Sequence, residues 1–113
     1  MTSYYAGLIS ETVACIYLRL HGFRILRRRY TTGHHTGRAE IDIIARRKNL
    51  LVFIEVKYRP NIATGLNAIP PSQAMRLRRA AETYITQTHW MNDARFDMIV
   101  ITPCTIKWIR GAI

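Results

Sequence analysis

Residues 38–57 of the chain read RAEIDIIARRKNLLVFIEVK, and they specify the centre of the predicted sheet. Two apolar runs, residues 39–45 and 50–56, are separated by a short polar break. The break contains Asn49, a residue type that tolerates positive φ and suits a tight hairpin turn. The stretch therefore predicts two antiparallel strands. The second run is apolar on both faces, which is typical of a central strand covered on both sides.

Side chains alternate between the two faces of a strand, so the pattern also predicts which residues share a face. In the first strand the expected faces are Glu40, Asp42 and Ile44 against Ile41, Ile43 and Ala45. In the second strand they are Leu51, Phe53, Glu55 and Lys57 against Leu50, Val52, Ile54 and Val56. The charged side chains of both strands are therefore expected to gather on one face of the sheet.

The length of the turn sets which residues of the two strands face each other. A two-residue loop at 48–49 places Asp42 opposite Glu55. The same register places Glu40 opposite Lys57. Directly opposed side chains have Cβ atoms about 4.5 to 5.5 Å apart, so the two carboxylates are close enough to hold one divalent cation. Burying two acids together is costly without a counter-ion, and Lys57 or a metal ion would supply one.

The chain is strongly basic. It has 17 Lys and Arg against 7 Asp and Glu, a formal net charge of +10, and 49% of its residues are hydrophobic. That hydrophobic fraction and the length of 113 residues predict one folded domain over residues 1–113. The charge favours a polyanionic partner, with nucleic acid as the leading candidate. It leaves open a basic protein without such a partner, or one attracted to anionic lipid.

The order of Asp42 followed by Glu55-Val56-Lys57 resembles the PD-(D/E)xK pattern of the restriction-endonuclease-like nucleases, with Ile41 where that pattern has its proline. Over residues 7–101 the chain more closely resembles the bacterial YraN family, an uncharacterised group placed in that superfamily. The residues that carry this resemblance are Gly7, Glu11, Ala14, Tyr17, Leu18, Gly22, Glu40 to Ile44, Val52 to Lys57, Arg59 and Arg95 to Asp97. This ordered set is far more specific than the bare acidic and Glu-x-Lys pattern.

The resemblance implies an α/β fold with a restriction-endonuclease-like αβββαβ core, a mixed sheet of about four or five strands flanked by helices. It also implies an endonuclease that hydrolyses phosphodiester bonds in DNA, including branched or damaged DNA. DNA is expected more than RNA. The expected cofactor is Mg²⁺ or Mn²⁺, because these ions prefer hard oxygen ligands.

The metal site that the resemblance implies is built on carboxylates. Asp42 and Glu55 are the principal expected ligands, and the Val56 carbonyl is a further one. Glu11 and Glu40 are expected to support the metal directly or through water. For Glu11 the residues alone also allow an exposed acid near the start of a helix, where the helix dipole favours negative charge.

Lys57 completes the expected catalytic set of Asp42, Glu55 and Lys57. Its ammonium is expected to orient the attacking water or to stabilise the phosphate in the transition state. A Lys beside two acids stays charged and is therefore a poor base. The alternative function is a basic nucleic-acid-binding module of the same fold, in which these residues form only a structural ion-pair network. Metal-dependent cleavage separates the two interpretations.

A second group of residues is expected to contact nucleic acid. These basic, aromatic or amide side chains are Arg27, Arg28, Arg29, Arg38, Tyr58, Arg59, Gln73 and Arg76. The ordinary alternative is a set of solvated residues on a strand edge, a loop and a helix face. Two of the positions depart from the resemblance, because YraN relatives often carry Lys in place of Gln73 and Arg29 replaces an Asn.

Two helices are predicted outside the acidic stretch. Residues 4–20 carry an apolar stripe that is expected to pack inward, formed by Ile9, Val13, Ile16 and Leu20. A second helix begins at two prolines, residues 70 and 71, and carries the stripe Ala74, Leu77, Ala81, Tyr84 and Ile85. Further strands are predicted at residues 23–30, 95–101 and 105–109.

The two cysteines, Cys15 and Cys104, lie in apolar runs without a Cys-x-x-Cys partner, which predicts buried, reduced thiols. The N-terminus has no secretory signal pattern, and no run reaches the ~20 apolar residues of a membrane span. We therefore expect a cytoplasmic protein without a membrane partner. The resemblance leaves both a monomer and a two-fold homodimer open, because cutters of branched DNA with a related fold are often dimers.

Overall fold

The computed structural model describes residues 3–33, 38–62 and 69–113, with side chains from residue 7 onward. The helices and strands in chain order are α1 (Ser3–Leu20), β1 (Arg24–Thr32), β2 (Ala39–Arg47), β3 (Leu50–Tyr58), α2 (Pro71–Thr88), β4 (Asp93–Ile101) and β5 (Ile106–Ile109). This order confirms the predicted α/β class and the αβββαβ core.

The strands form one mixed sheet in the order β1-β2-β3-β4-β5. Neighbouring strands are antiparallel except β3 and β4, which run parallel. A parallel pair needs a crossover connection, and α2 supplies it on one face of the sheet. The other face is covered by α1, so the central strand β3 is buried on both sides, as its apolar pattern predicts.

Two apolar clusters hold the helices to the sheet. On the α2 side the cluster includes Leu51, Phe53, Leu77, Tyr84 and Phe96. On the α1 side it includes Ala14, Leu18, Val52, Ile54 and Ile99. Alternate residues of β3 therefore enter opposite clusters, which confirms the faces predicted for that strand.

The hairpin between β2 and β3 has the predicted register. Arg47 pairs with Leu50, so the loop consists of Lys48 and Asn49. The positive φ lies at Lys48, at 54°, and not at Asn49, where the sequence led us to expect it. A left-handed first loop residue is the geometry in which glycine is preferred, so Lys48 occupies a position that its own side chain disfavours.

The prediction of the inward stripe of α1 is wrong. Its residues lie mostly outward: Ile9 is 51% exposed, Ile16 51% and Leu20 79%, and Val13 is half-buried. The buried side of α1 is formed instead by Ser10, Ala14, Cys15 and Leu18. Both sides of this helix are apolar, so periodicity does not choose between them. The small side chains of Ala14 and Cys15 allow the helix to lie close to the sheet, which decides in favour of that side.

The inward stripe of α2 is confirmed, with Ala74, Leu77, Ala80, Ala81 and Tyr84 buried against the sheet. Ile85 is partly buried against the same cluster. Neither described helix has the length and apolar character needed to cross a membrane.

Both cysteine thiols are free, and they differ in exposure. Cys15 is buried, as predicted, whereas the prediction of a buried Cys104 is wrong because its side chain is exposed. Cys104 lies in the turn between β4 and β5, where its backbone N–H donates to the Thr102 hydroxyl at 3.2 Å. An apolar neighbourhood in sequence therefore does not bury a residue that the chain needs for a turn.

Candidate active site

Strand β2 departs from strict alternation at Asp42. Ile41 and Ile44 belong to the apolar cluster on the α2 side, whereas Ile43 and Ala45 belong to the cluster on the α1 side. The expectation that Ile41 shares a face with Ile43 is therefore wrong, because the strand is irregular at the residue between them. As a result, Ile41 and Asp42 are consecutive and both project to the α2 side.

The Asp42 carboxylate takes a backbone donor at the end of the β2–β3 ladder. The last regular pair is Ile43 with Ile54. Beyond this pair, the N–H of Val56 donates to Oδ2 of Asp42 at 2.8 Å. Asp42 and Glu55 therefore meet beyond the end of the ladder and not as an opposed pair within it, which corrects the geometry predicted for them.

A cleft opens where β2, β3 and the first turns of α2 meet. Eight of the residues singled out from the sequence line it: Arg38, Glu40, Asp42, Glu55, Val56, Lys57, Gln73 and Arg76. The structure thus brings the complete expected catalytic set into one cavity. Three of these lining residues, Arg38, Gln73 and Arg76, are expected nucleic-acid contacts.

Glu55 is an acid of the cleft with a strongly raised pKa. Its side chain is buried, with 5% of the residue exposed. Burial comes first among the causes that raise the pKa of Glu55 to about 9, followed by a hydrogen bond with Asp42 and the charge of Asp42. The ammonium of Lys57 opposes this shift and lowers the pKa. The neutral form of Glu55 is therefore favoured well above the pH at which an exposed Glu loses its proton.

Gln73 lines the cleft and contacts one of its acids. Its Nε2 donates to Oε2 of Glu55 at 3.4 Å, from the first turn of α2. The sequence carries no local signal for this contact, because the two residues are distant in the chain and meet only through the crossover that joins β3 to α2. The amide of Gln73 is thus an additional partner of the second acid.

The structure does not bring Glu11 into the cleft. Its Oε1 accepts a hydrogen bond from Nε of Arg29 at 3.0 Å and lies 3.7 Å from Nη2 of Arg28, on the α1 side of the sheet. Over the described ranges, no three Asp, Glu, His or Cys side chains come together as a group that would hold a metal ion. The described carboxylates that meet are therefore the pair Asp42 and Glu55, with Glu40 close enough to raise the pKa of Glu55.

The other expected nucleic-acid contacts do not line the cleft, and Arg28 and Arg29 lie at Glu11 on the opposite face of the sheet. Arg27 stacks over the Tyr30 ring, with 5.2 Å from its guanidinium carbon to the ring centroid. Tyr58 is 41% exposed at the end of β3. Arg59 follows directly, and its Nη1 donates to the Tyr58 carbonyl at 2.8 Å. Tyr58 and Arg59 therefore extend the basic surface from Lys57 along the end of the same strand.

One acid on each of two adjacent strands, with a Lys two residues after the second acid and an αβββαβ core around them, resembles the arrangement of restriction-endonuclease-like proteins. The sequence profile of the uncharacterised protein family UPF0102 matches residues 10–101. The chain belongs to this family, which is the YraN-like family.

Individual relatives agree with this assignment. A UPF0102 protein of Rhodopseudomonas palustris is 38% identical over 107 residues, which cover 93% of this chain and 79% of the relative. One from Bartonella bacilliformis is 40% identical over 103 residues, covering 89% of this chain and 81% of the relative. One from Paramagnetospirillum magneticum is 33% identical over 99 residues, which cover 86% of this chain and 77% of the relative. The similarity therefore extends over nearly the whole αβββαβ core.

Proposed function

We propose that the protein is an endonuclease that hydrolyses phosphodiester bonds in DNA with the help of Mg²⁺ or Mn²⁺. The observation that carries the proposal is the meeting of Asp42 and Glu55 beside Lys57 in one cleft. The chain around this cleft has a net charge of +10, which attracts the phosphates of nucleic acid over a long range. The resemblance to restriction-endonuclease-like proteins favours DNA over RNA, and branched or damaged DNA among the substrates.

The acids of the cleft fit a divalent cation. Burial and the neighbouring Asp42 both favour the neutral form of Glu55, because two carboxylates in contact resist carrying two negative charges. A divalent cation in place of the proton would neutralise both. Mg²⁺ usually takes only one or two protein carboxylates and keeps several waters, so this pair and the Val56 carbonyl form a sufficient ligand set. Such an ion supplies a water of lowered pKa and neutralises charge on the phosphate.

The remaining polar residues of the cleft serve to bind and orient the phosphate. Lys57 is close enough to Glu55 to lower its pKa, so its ammonium lies beside the acids. We assign it to the attacked phosphate, whose negative charge grows as water adds to phosphorus. Arg38 and Arg76 line the same cleft and would hold neighbouring phosphates. The bond from phosphorus to the leaving oxygen breaks, and that oxygen takes up a proton from solvent.

One cleft in each chain cuts one strand at a time. Cleavage of both strands of a duplex then requires either a two-fold homodimer or two successive nicks. Because nucleic acid is the proposed partner, we also place the protein in the cytoplasm, without a membrane partner.

The second candidate function is a basic nucleic-acid-binding module without efficient catalysis. One contact favours it: Gln73 donates to Glu55, so that buried acid has polar partners in Asp42 and an amide without any metal. In that case the geometry of the cleft would serve only to shape a basic surface.

A cleavage panel tests the proposal. Labelled duplex, nicked, flapped, four-way-junction and single-stranded DNA, together with RNA, are incubated with the protein in Mg²⁺, Mn²⁺ or EDTA. The variants are Asp42→Asn, Glu55→Gln and Lys57→Ala. The matched controls are Glu82→Gln and Lys107→Ala, which remove an acid from the exposed face of α2 and a cation from β5. Circular dichroism confirms that every variant is folded.

We expect cleavage that requires the metal and falls by about 100-fold or more in each of the three cleft variants, with both controls unaffected. Cleavage that persists in EDTA would contradict a metal-dependent nuclease. Binding without cleavage of any substrate, equal in wild type and cleft variants, would establish the binding module instead.

A further inference from the structure

Arg29 adopts a backbone conformation that a long side chain disfavours. Its φ is 52°, in the left-handed region, in the middle of strand β1. The ladder between β1 and β2 places Arg29 across from Asp42, at the step between two regular pairs, Arg28 with Ile43 and Tyr30 with Ile41. The left-handed residue of β1 and the irregular residue of β2 therefore coincide.

Both strands lose the regular alternation of their side chains at this step, with two consecutive side chains of β1 on the α1 side and two of β2 on the α2 side. Arg28 and Arg29 are consecutive, yet both reach Glu11 on the α1 side. Ile41 and Asp42 are consecutive, yet both project to the α2 side. Alternation counted from Ile44 already places Asp42 on the α2 side, so the break moves Ile41 to that side as well. The irregular step therefore ends the regular pairing of β2 with β3 at Asp42 and leaves the Asp42 carboxylate to accept the Val56 N–H.

Glu11 holds the β1 side of this step. One oxygen of its carboxylate, Oε1, accepts from Nε of Arg29 at 3.0 Å and lies 3.7 Å from Nη2 of Arg28. The Glu11 side chain is 13% exposed, so water screens this contact less than it screens an ion pair on an open surface. The contact draws two consecutive side chains to the same face, which is the condition for the irregular step.

We propose that Glu11 is a positioning residue for the cleft. Through Arg29 it holds the left-handed step opposite Asp42, and this sets the Asp42 carboxylate beside Glu55. The inference rests on the proposed function in that Asp42 is there a metal ligand. Glu11 acts from the opposite face of the sheet and contacts neither metal nor substrate, in contrast to the supporting ligand expected from the sequence.

Two measurements report on the position of Asp42. The first is hydrogen exchange of the Val56 amide, whose N–H donates to Asp42 Oδ2 in the absence of any metal or substrate. The second is the affinity for Mn²⁺ alone, measured by calorimetry. The first readout decides the positioning role even if the cleft has no nuclease activity.

Four variants separate the ion pair from the backbone conformation. Glu11→Gln removes the charge at constant shape. Arg29→Val disfavours the left-handed conformation because Val is β-branched, whereas Arg29→Asn adopts it readily and removes only the guanidinium. The double variant of Glu11→Gln with Arg29→Asn tests rescue. Arg24→Val, at the start of the same strand, is the matched control.

We expect Glu11→Gln and Arg29→Val to bind Mn²⁺ about tenfold more weakly, as is usual for the loss of a group that orients a ligand. Their Val56 amide should exchange about tenfold faster, since local opening exposes it. Arg29→Asn and the double variant should match the wild type in both readouts, and so should Arg24→Val. Rescue by Asn identifies the left-handed step, and not a general loss of stability, as the cause.

Two outcomes would overturn the inference. In both, the Val56 amide of Glu11→Gln exchanges at the wild-type rate. If Mn²⁺ nevertheless binds more weakly, Glu11 participates directly in the site. If the Mn²⁺ affinity is also unchanged, Glu11 does not position Asp42. If the wild type binds no Mn²⁺ at all, the proposed function fails, and the Val56 amide alone supports or overturns the positioning role.

Discussion

The backbone N–H of Val56 on β3 donates a hydrogen bond of 2.8 Å to Oδ2 of Asp42 on β2. The bond lies beyond the last regular pair of the two strands, Ile43 with Ile54. The Asp42 carboxylate thus accepts an N–H that a backbone carbonyl would accept in a regular β-ladder. The position of the Asp42 carboxylate therefore depends on the backbones of both strands, and the chemistry of the cleft depends on their register.

The stability of the metal-free protein should depend on pH through Glu55. Its pKa is raised from 4.5 to about 9 in the folded chain, first by burial and then by Asp42. A raised folded-state pKa means that this contribution to stability is complete below the unfolded pKa and is lost as the pH rises toward the folded one. Relative to Glu55→Gln, the wild type should lose free energy of unfolding between about pH 5 and pH 8. Urea denaturation across this range measures the difference, and parallel curves for the two proteins would contradict the prediction.

Asp97 should be the acid whose loss costs most stability. It is fully buried and accepts four hydrogen bonds: from Arg95 Nε at 2.7 Å, Arg95 Nη2 at 2.8 Å, Trp108 Nε1 at 2.8 Å and Gly111 N–H at 3.0 Å. Asp97→Ala should lower the free energy of unfolding by about 3 to 5 kcal/mol, because it leaves a guanidinium and two N–H groups without their acceptor. The exposed Asp93→Ala on the same strand should change it by less than about 0.5 kcal/mol. Denaturant titration decides, and a similar small effect in both variants would refute the assignment.

Glycine at position 48 of the hairpin turn should stabilise the protein, whereas glycine at position 49 should not. Lys48 has a φ of 54°, which an L side chain disfavours and glycine adopts freely. Lys48→Gly should raise the free energy of unfolding by about 0.5 to 1 kcal/mol. Asn49→Gly, the matched control in the same loop, relieves no positive φ and should not raise it. Thermal melts compare the two, and an equal gain at both positions would show that the left-handed residue is not the source.

Binding of nucleic acid should distinguish two arginines on one helix. Arg76 lines the cleft, whereas Arg79 is exposed on α2 outside it. In metal-free buffer the logarithm of the DNA association constant falls with the logarithm of salt concentration, and Arg76→Ala should reduce this slope by about 0.9, the value for one lost phosphate contact. Arg79→Ala removes the same charge and should leave the slope unchanged. Fluorescence anisotropy at several salt concentrations provides the data, and equal changes would point to net charge in place of the cleft.

Local sequence patterns predict the hairpin and α2 because each of these elements is specified by its own residues. The polar break at 47–49 sets the register, and the β3 alternation sends Phe53 and Ile54 to opposite clusters. The stripe of α2 is the apolar side of an otherwise charged helix, so only one side can face the core. The helix α1 lacks this contrast, which is why its inward side was not predictable.

The irregular step at Asp42 depends on two strands at once, so the pattern of one strand does not reveal it. The partner position on β1 is Arg29, whose φ of 52° the sequence of β1 does not indicate, because Arg rarely takes a left-handed conformation. The contact between Gln73 and Glu55 also depends on the tertiary structure, since it forms only when the crossover returns α2 to the end of β3. The identity of the cleft acids was therefore predictable, and their detailed partners were not.

The two thiols of the chain differ in accessibility, which allows a dye to be attached selectively to one of them. Cys104 is exposed, whereas Cys15 is buried and its pKa is raised by that burial, so a maleimide dye at neutral pH attaches to Cys104. Cys104 follows Ile101, which pairs with Tyr58 at the end of β3 where that strand leaves the cleft. A fluorophore on the unmodified sequence would therefore lie near Tyr58, one of the expected nucleic-acid contacts, and a change in its emission on adding DNA would support the proposed partner.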